Sequence, residues 1–183
     1  MRIKRILLSN IVIALVLIFS KPYSYKLFLI GIPFIIIGEV LRLISSFSIR
    51  KNKELSTTGP YAICRNPLYL GTFLNIIGAM IQITSKEPLR NIILWAFIII
   101  SFSYIYYKTI KSEEEFLSKK FGEVFKNYMQ SVPSLIPKLS RLKEVFVIEN
   151  YSYELFLKNK EWRGLIGVII IEILIYLKIY LKI

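Results

Sequence analysis

Residues 27–49 read LFLIGIPFIIIGEVLRLISSFSI, and the only charges among them are Glu39 and Arg42. An α-helix rises about 1.5 Å per residue, so about 20 mostly apolar residues cross a hydrocarbon core about 30 Å thick. This stretch is long enough, which sets the fold class. Outward from it, uncharged runs lie at 6–20, 67–85 and 91–107. A further apolar stretch, 164–183, is interrupted by Glu172, Lys178 and Lys182, and reads as a last span or an interfacial helix. The expected fold is an all-α, polytopic membrane helix bundle with about five transmembrane helices. The opening MRIKR and its apolar run resemble a signal peptide. No small-residue cleavage site comes after it, however, and Lys21-Pro22-Tyr23 leads straight into the next span, so the first run is read as a mature helix.

Among 183 residues, 55% are apolar, and 25 Lys and Arg oppose 12 acids, every one of them Glu. With no His and no Asp, a Ser-His-Asp triad, a His-based zinc site and an Asp-rich magnesium site are excluded, and no metal is expected. The single cysteine, Cys64, rules out an internal disulfide. Basic residues are retained on the cytoplasmic side of a membrane. Eighteen of them fall before the first span, between 50 and 65, or between 108 and 163, against six on the opposite face. The N-terminus and both long polar segments are therefore expected in the cytoplasm. The net charge of +13 is then explained by the bilayer's anionic head groups rather than by nucleic acid, for which no stacking platform is present.

In the longer polar segment, Leu117, Phe121, Val124, Phe125 and Tyr128 share one helical face, which predicts a cytoplasmic amphipathic helix over 112–132 that ends before Pro133. Ser112-Glu113-Glu114-Glu115 can be read as a capping box; if the fourth span continues into this helix, there is no N-terminus to cap. The shorter segment reads LSTTGPYAICRNPLYLG over 55–71. Gly59-Pro60 is turn chemistry, and Pro67 suits a first helical turn. The bland reading is a tight re-entry into the membrane with Arg65 and Tyr69 as interfacial anchors. The same loop also gathers an arginine, an amide, phenols and free backbone N–H groups at a helix start, where a carboxylate or phosphate binds well.

Taken together, Leu55, Thr57, Gly59, Tyr61, Arg65, Asn66, Pro67, Tyr69 and Gly71, with the later set Glu113, Glu114, Leu117, Phe121, Gly122, Phe125, Tyr128, Val132, Pro133 and Pro137, resemble a known family. It is the family of integral-membrane methyltransferases that includes isoprenylcysteine carboxyl methyltransferase and the phospholipid N-methyltransferases. The resemblance covers about residues 38–137. It implies methyl transfer from S-adenosylmethionine to a lipid or lipid-attached acceptor at the cytoplasmic face. By position it implies cofactor contacts at Lys53, Leu55, Ser56, Tyr61, Asn66, Pro67, Leu68, Tyr69 and Glu113, and catalytic roles for Arg65 and Glu114. Arg42 and Thr109 fall at substrate positions. Residues 1–137 would form the methyltransferase core and 138–183 a C-terminal extension, within one domain overall.

The chemistry suits those residue types. A sulfonium with an α-amino group favours a nearby carboxylate, its own carboxylate favours arginine or backbone N–H, and adenine favours aromatic packing. Three positions depart from the family pattern. Asn66 stands in place of His and cannot carry a proton, Phe125 replaces a Tyr, and Thr109 replaces a substrate-binding Arg, with Lys108 and Lys111 beside it. Two other readings stay open: an NADPH-dependent membrane reductase of the sterol-reductase-like type, and a non-catalytic lipid-binding member. Glu39 and Arg42, three residues apart within a span, are a costly pair and so a candidate site; Glu161, Trp162 and Glu172 have no assignment.

Overall fold

The computed structural model describes residues 2–50 and 54–183, with side chains from Arg5 onward. Lys53 lies outside the described residues. The protein is an all-α membrane helix bundle. Its helices are α1 (Arg2–Phe19), α2 (Tyr25–Ser48), α3 (Pro60–Ile63), α4 (Pro67–Gln82), α5 (Pro88–Phe121), α6 (Glu123–Ser131), α7 (Tyr153–Asn159) and α8 (Trp162–Leu181). Among the described residues, α2, α5 and α8 are long and apolar enough to cross a membrane, while α1 and α4 are shorter apolar helices. Large side chains point outward, as in Ile92, Ile93, Ile99 and Ile100 of α5 and Ile169, Ile170 and Ile173 of α8. Lipid rather than water solvates such a surface, and small or polar groups turn inward instead.

The tightest seam joins α2 to α4, which run antiparallel. A β-carbon at Gly38 would come within 2.5 Å of the Gly71 carbonyl, and one at Gly78 within 2.8 Å of the Gly31 carbonyl. Without side chains at these four positions, the two backbones approach to contact. Helices α1, α5 and α8 meet through Val12, Val16, Ile98, Phe102, Ile105, Ile175 and Ile179.

Two boundaries differ from the sequence reading. Helix α5 runs unbroken through Ser112 to Phe121, so the capping-box reading of Ser112 falls away. The expected amphipathic helix over 112–132 is instead the end of α5 plus the separate α6, divided at Gly122. Gly122 has φ +54°, a backbone region favourable only to glycine. The break gives α6 a new direction: Phe125 is buried, while Val124, expected on the same face, is 65% exposed.

The C-terminal residues pack into the bundle. Asn159 Nδ2 donates to the carbonyls of Ser46 and Ile49, which caps the end of α2. Phe47 and Phe156 stack at 4.5 Å between ring centroids. The charges that interrupt the last apolar stretch find partners in other helices: Glu172 accepts from Gln82 Nε2 at 2.7 Å, and Lys178 donates to the Leu17 carbonyl. Helix α8 is thus a continuous apolar helix whose Glu172 and Lys178 find partners inside the bundle.

Candidate active site

The topology carries residues 54–66 and 122–161 to the same end of the bundle, and there the two motifs are joined through their backbones. Arg65 N–H donates to the Pro133 carbonyl at 2.9 Å, Asn66 N–H to the Ser134 carbonyl at 3.1 Å, and Lys138 N–H to the Ile63 carbonyl at 2.8 Å. Pro133 ends α6, so the chain beyond it is free to lie as an extended partner along the first motif. Beneath this pairing Leu55 packs with Leu117, Phe121, Phe125, Tyr128, Met129 and Val132. Tyr128 donates its hydroxyl to the Tyr61 carbonyl at 2.6 Å.

Arg65 and Glu114 form the centre. Arg65 Nε and Nη2 donate to Glu114 Oε1 at 3.1 and 2.9 Å, while its Nη1 donates to the carbonyls of Met129 and Val132 at 3.0 and 2.6 Å. The same carboxylate oxygen accepts from Ser134 Oγ at 3.2 Å and from Asn66 Nδ2 at 3.5 Å. Asn66 also donates to the Ser134 carbonyl and hydroxyl. The amide that stands in place of a histidine is therefore a hydrogen-bond donor between two segments, with no titratable proton.

Glu113 is turned by about 100° around α5 from Glu114, as neighbours on a helix are. It accepts from the Tyr69 hydroxyl at 2.7 Å and lies 3.7 Å from Arg5, which also donates to Tyr69. A cleft of about 420 Å³ opens beside Glu114, walled by Phe73, Tyr107, Ile110, Lys111, Ser134 and Leu135. A second cleft, about 340 Å³, is also lined by Glu114 and Lys111, with Glu115, Ser118, Lys119 and Met129. One carboxylate, one ammonium and an aromatic-lined floor thus share a single opening.

Of the other residues singled out from sequence, Tyr61 and Pro67 are buried, Leu68 is half-buried, and Ser56 Oγ accepts from Arg50 N–H. Burial, with Tyr128 beside it, holds the Tyr61 phenol well above its usual range; the hydroxyl has no hydrogen-bond partner among the described residues. Burial likewise pushes the Cys64 thiol up to about 11. Thr109 donates to the Ile105 carbonyl within its own helix, and it is Lys111, two residues on, that lines both clefts. Arg42 lies deeper, with Nη1 on Thr72 Oγ1 at 2.8 Å, Nη2 on Glu161 Oε2 at 3.1 Å and Nε 3.3 Å from Glu39. Two residues of the site escape sequence reasoning. Ser134 carries no signal there, and Lys111 figures only as one of the lysines near Thr109.

The phospholipid methyltransferase family profile matches residues 13–124. Among curated proteins, the chain is similar to the nickel-cobalt-cadmium resistance protein NccN of Alcaligenes xylosoxydans xylosoxydans, 31% identical over 166 residues, which cover 86% of this chain and 75% of that one. It is also similar to the cobalt-zinc-cadmium resistance protein CzcN of Cupriavidus metallidurans, 27% identical over 78% of this chain and 63% of the other. The protein-S-isoprenylcysteine O-methyltransferase of Schizosaccharomyces pombe is 32% identical over 92 residues, 48% of this chain and 36% of its own length. No solved structure matches the chain.

Proposed function

We propose, on the premise that the chain belongs to the phospholipid methyltransferase family, that it transfers a methyl group from S-adenosylmethionine to a lipid or lipid-attached acceptor at the cytoplasmic membrane face. The observation that carries this reading is the cleft beside Glu114, because its residues suit both ends of the donor. Glu114 faces it as a carboxylate, Lys111 as a cation, and Phe73 and Tyr107 as aromatic walls.

S-adenosylmethionine supplies the reaction with a methyl group on a positively charged sulfur, which leaves without help from a metal. The chain's own residues then have positioning to do. Arg65 would fix the Glu114 carboxylate, since two of its nitrogens meet one oxygen and a third grips the backbone after α6. Tyr69 would fix Glu113 in the same way. Asn66 would keep Ser134 against Glu114 and so keep the loop closed against water. The acceptor would be a prenylcysteine-like carboxylate or an amine head group. Residues 1–137 would carry the core, with 138–183 docked on it in one domain; the contact of Glu161 with Arg42 supports that docking.

Calorimetric titration of the detergent-solubilised protein with S-adenosylhomocysteine and, separately, NADP⁺ tests the reading. Saturable binding of S-adenosylhomocysteine alone is expected. Binding of NADP⁺ alone would replace it with a membrane reductase, and binding of neither would favour a lipid-binding member without catalysis.

A further inference from the structure

Outside the spans, the most apolar exposed surface lies just beyond the cleft. Ile136, Leu139, Phe146 and Ile148 are 81%, 69%, 73% and 84% exposed. Surface of this kind is unfavourable in water by about 25 cal/mol per Å². Two of these, Leu139 and Phe146, belong to a 3₁₀ helix, Leu139–Phe146. With three residues per turn, positions three apart eclipse one another. Leu139, Leu142 and Val145 therefore form one apolar row, and Arg141 and Glu144 lie on the next, 3.9 Å apart. Lys138 and Lys143 flank the apolar row and have net positive charge to offer.

The depth of this segment is fixed by its attachments. Lys138 N–H bonds to Ile63 just before α4, and Ser152 N–H bonds to the Phe47 carbonyl at the end of α2, at 2.9 Å. One attachment is at the end of α2, a helix long enough to cross the membrane, and the other just before the shorter apolar helix α4. Soon after, Lys160 turns the chain through a left-handed residue into α8. A segment held at the end of a spanning helix would lie level with the head groups of the membrane around the bundle. We infer that residues 136–148 are an interfacial anchor, seated in the anionic head-group layer of that leaflet with the apolar row toward the acyl chains. Ser134 and Leu135, which wall the cleft, immediately precede it. On the methyl-transfer reading above, the anchor holds the cleft mouth open to the lipid layer, where the acceptor resides.

The test is fluorescence of an environment-sensitive dye at Leu139→Cys or Ile148→Cys, with Gln130→Cys on the exposed side of α6 as reference. The protein is placed in nanodiscs of phosphatidylcholine with or without phosphatidylglycerol. Cys64 is fully buried and stays unlabelled. Iodide is expected to quench Leu139→Cys and Ile148→Cys at least about threefold less than the reference, with shallow nitroxide lipids quenching them more, because an interfacial helix lies at head-group depth. Added phosphatidylglycerol should strengthen the lipid quenching, and Lys138→Ser with Lys143→Ser should remove that dependence. Iodide quenching equal to the reference, or no quenching by nitroxide lipid, would overturn the anchor. S-adenosylhomocysteine affinity measured in the same nanodiscs separates the two proposals. Its absence would count against methyl transfer and leave the depth result standing.

Discussion

Arg65 Nη2 lies 2.9 Å from Glu114 Oε1, and the guanidinium's opposite arm holds the Val132 carbonyl at 2.6 Å. A single side chain from the first motif thus grips both the helix and the loop of the second. Both partners are mostly buried, at 13% and 23% side-chain exposure, so removing either leaves the other poorly solvated. Arg65→Ala is expected to lower stability by about 3 kcal/mol, and Arg65→Lys by about half as much because an ammonium cannot fork. A double-mutant cycle with Glu114→Gln checks this by thermal unfolding in detergent. Strictly additive losses would show that the two residues do not act together.

Gly38→Ala places a carbon against Asn75 Oδ1 and 2.5 Å from the Gly71 carbonyl, a backbone atom that cannot turn aside. The seam between α2 and α4 must open, and a loss of about 2–3 kcal/mol is expected. Gly167 in α8 is the control: a carbon there meets nothing within 4 Å. Gly167→Ala should be neutral or stabilising by up to about 1 kcal/mol, the ordinary helix preference for alanine. Equal effects of the two substitutions in thermal unfolding would contradict close packing at Gly38.

The contrast between these glycines shows how far the sequence could be read. Apolar length alone disclosed the five long apolar helices, because hydrocarbon thickness imposes it. Gly122 as a helix break was less visible, since a glycine within an amphipathic pattern is often tolerated; only its φ of +54° shows that α5 stops there. Glu172 and Lys178 weakened the last span in sequence because their partners, Gln82 and the Leu17 carbonyl, lie 90 and 161 residues away. For the same reason Glu161 had no assignment: Arg42 is 119 residues distant. At the candidate site, the paired motifs located Arg65 and Glu114. Ser134 and Lys111 emerged only once the loop after Pro133 was seen lying along the first motif.

Alkaline pH should unfold the loop end of the bundle first. Burial raises Tyr61, Tyr128 and Cys64 above their usual values, outside the spans. A raised folded-state pKa gives stability that is complete below the unfolded value and is lost as pH rises through the folded one. For Cys64 that window runs from about 8.5 in the unfolded chain to about 11. Melting temperature in nanodiscs is expected to be flat at neutral pH and to fall from about pH 9 upward, with the unfolded tyrosines ionising near 10. Maleimide labelling of Cys64 should be negligible at pH 7 and rise with the same onset. Rapid labelling at neutral pH would show the thiol to be accessible.

Arg42 holds three groups from three helices or helix ends: Glu39 on α2, Thr72 on α4 and Glu161 just before α8. The cost of losing it should be asymmetric. Glu161→Gln leaves an amide that still accepts from the guanidinium, with a loss of about 1 kcal/mol expected. Arg42→Met leaves the Glu39 carboxylate without its cation, and Glu39 is only 5% exposed, so about 3–5 kcal/mol is expected. If uncompensated charge is the cause, Arg42→Met combined with Glu39→Gln should recover part of that loss although it removes one more native group. Thermal unfolding of the three variants distinguishes this from a steric role. A double variant less stable than Arg42→Met alone would mean that Arg42 acts by packing against Gly164, whose missing side chain leaves room for Nη2, and not by balancing charge.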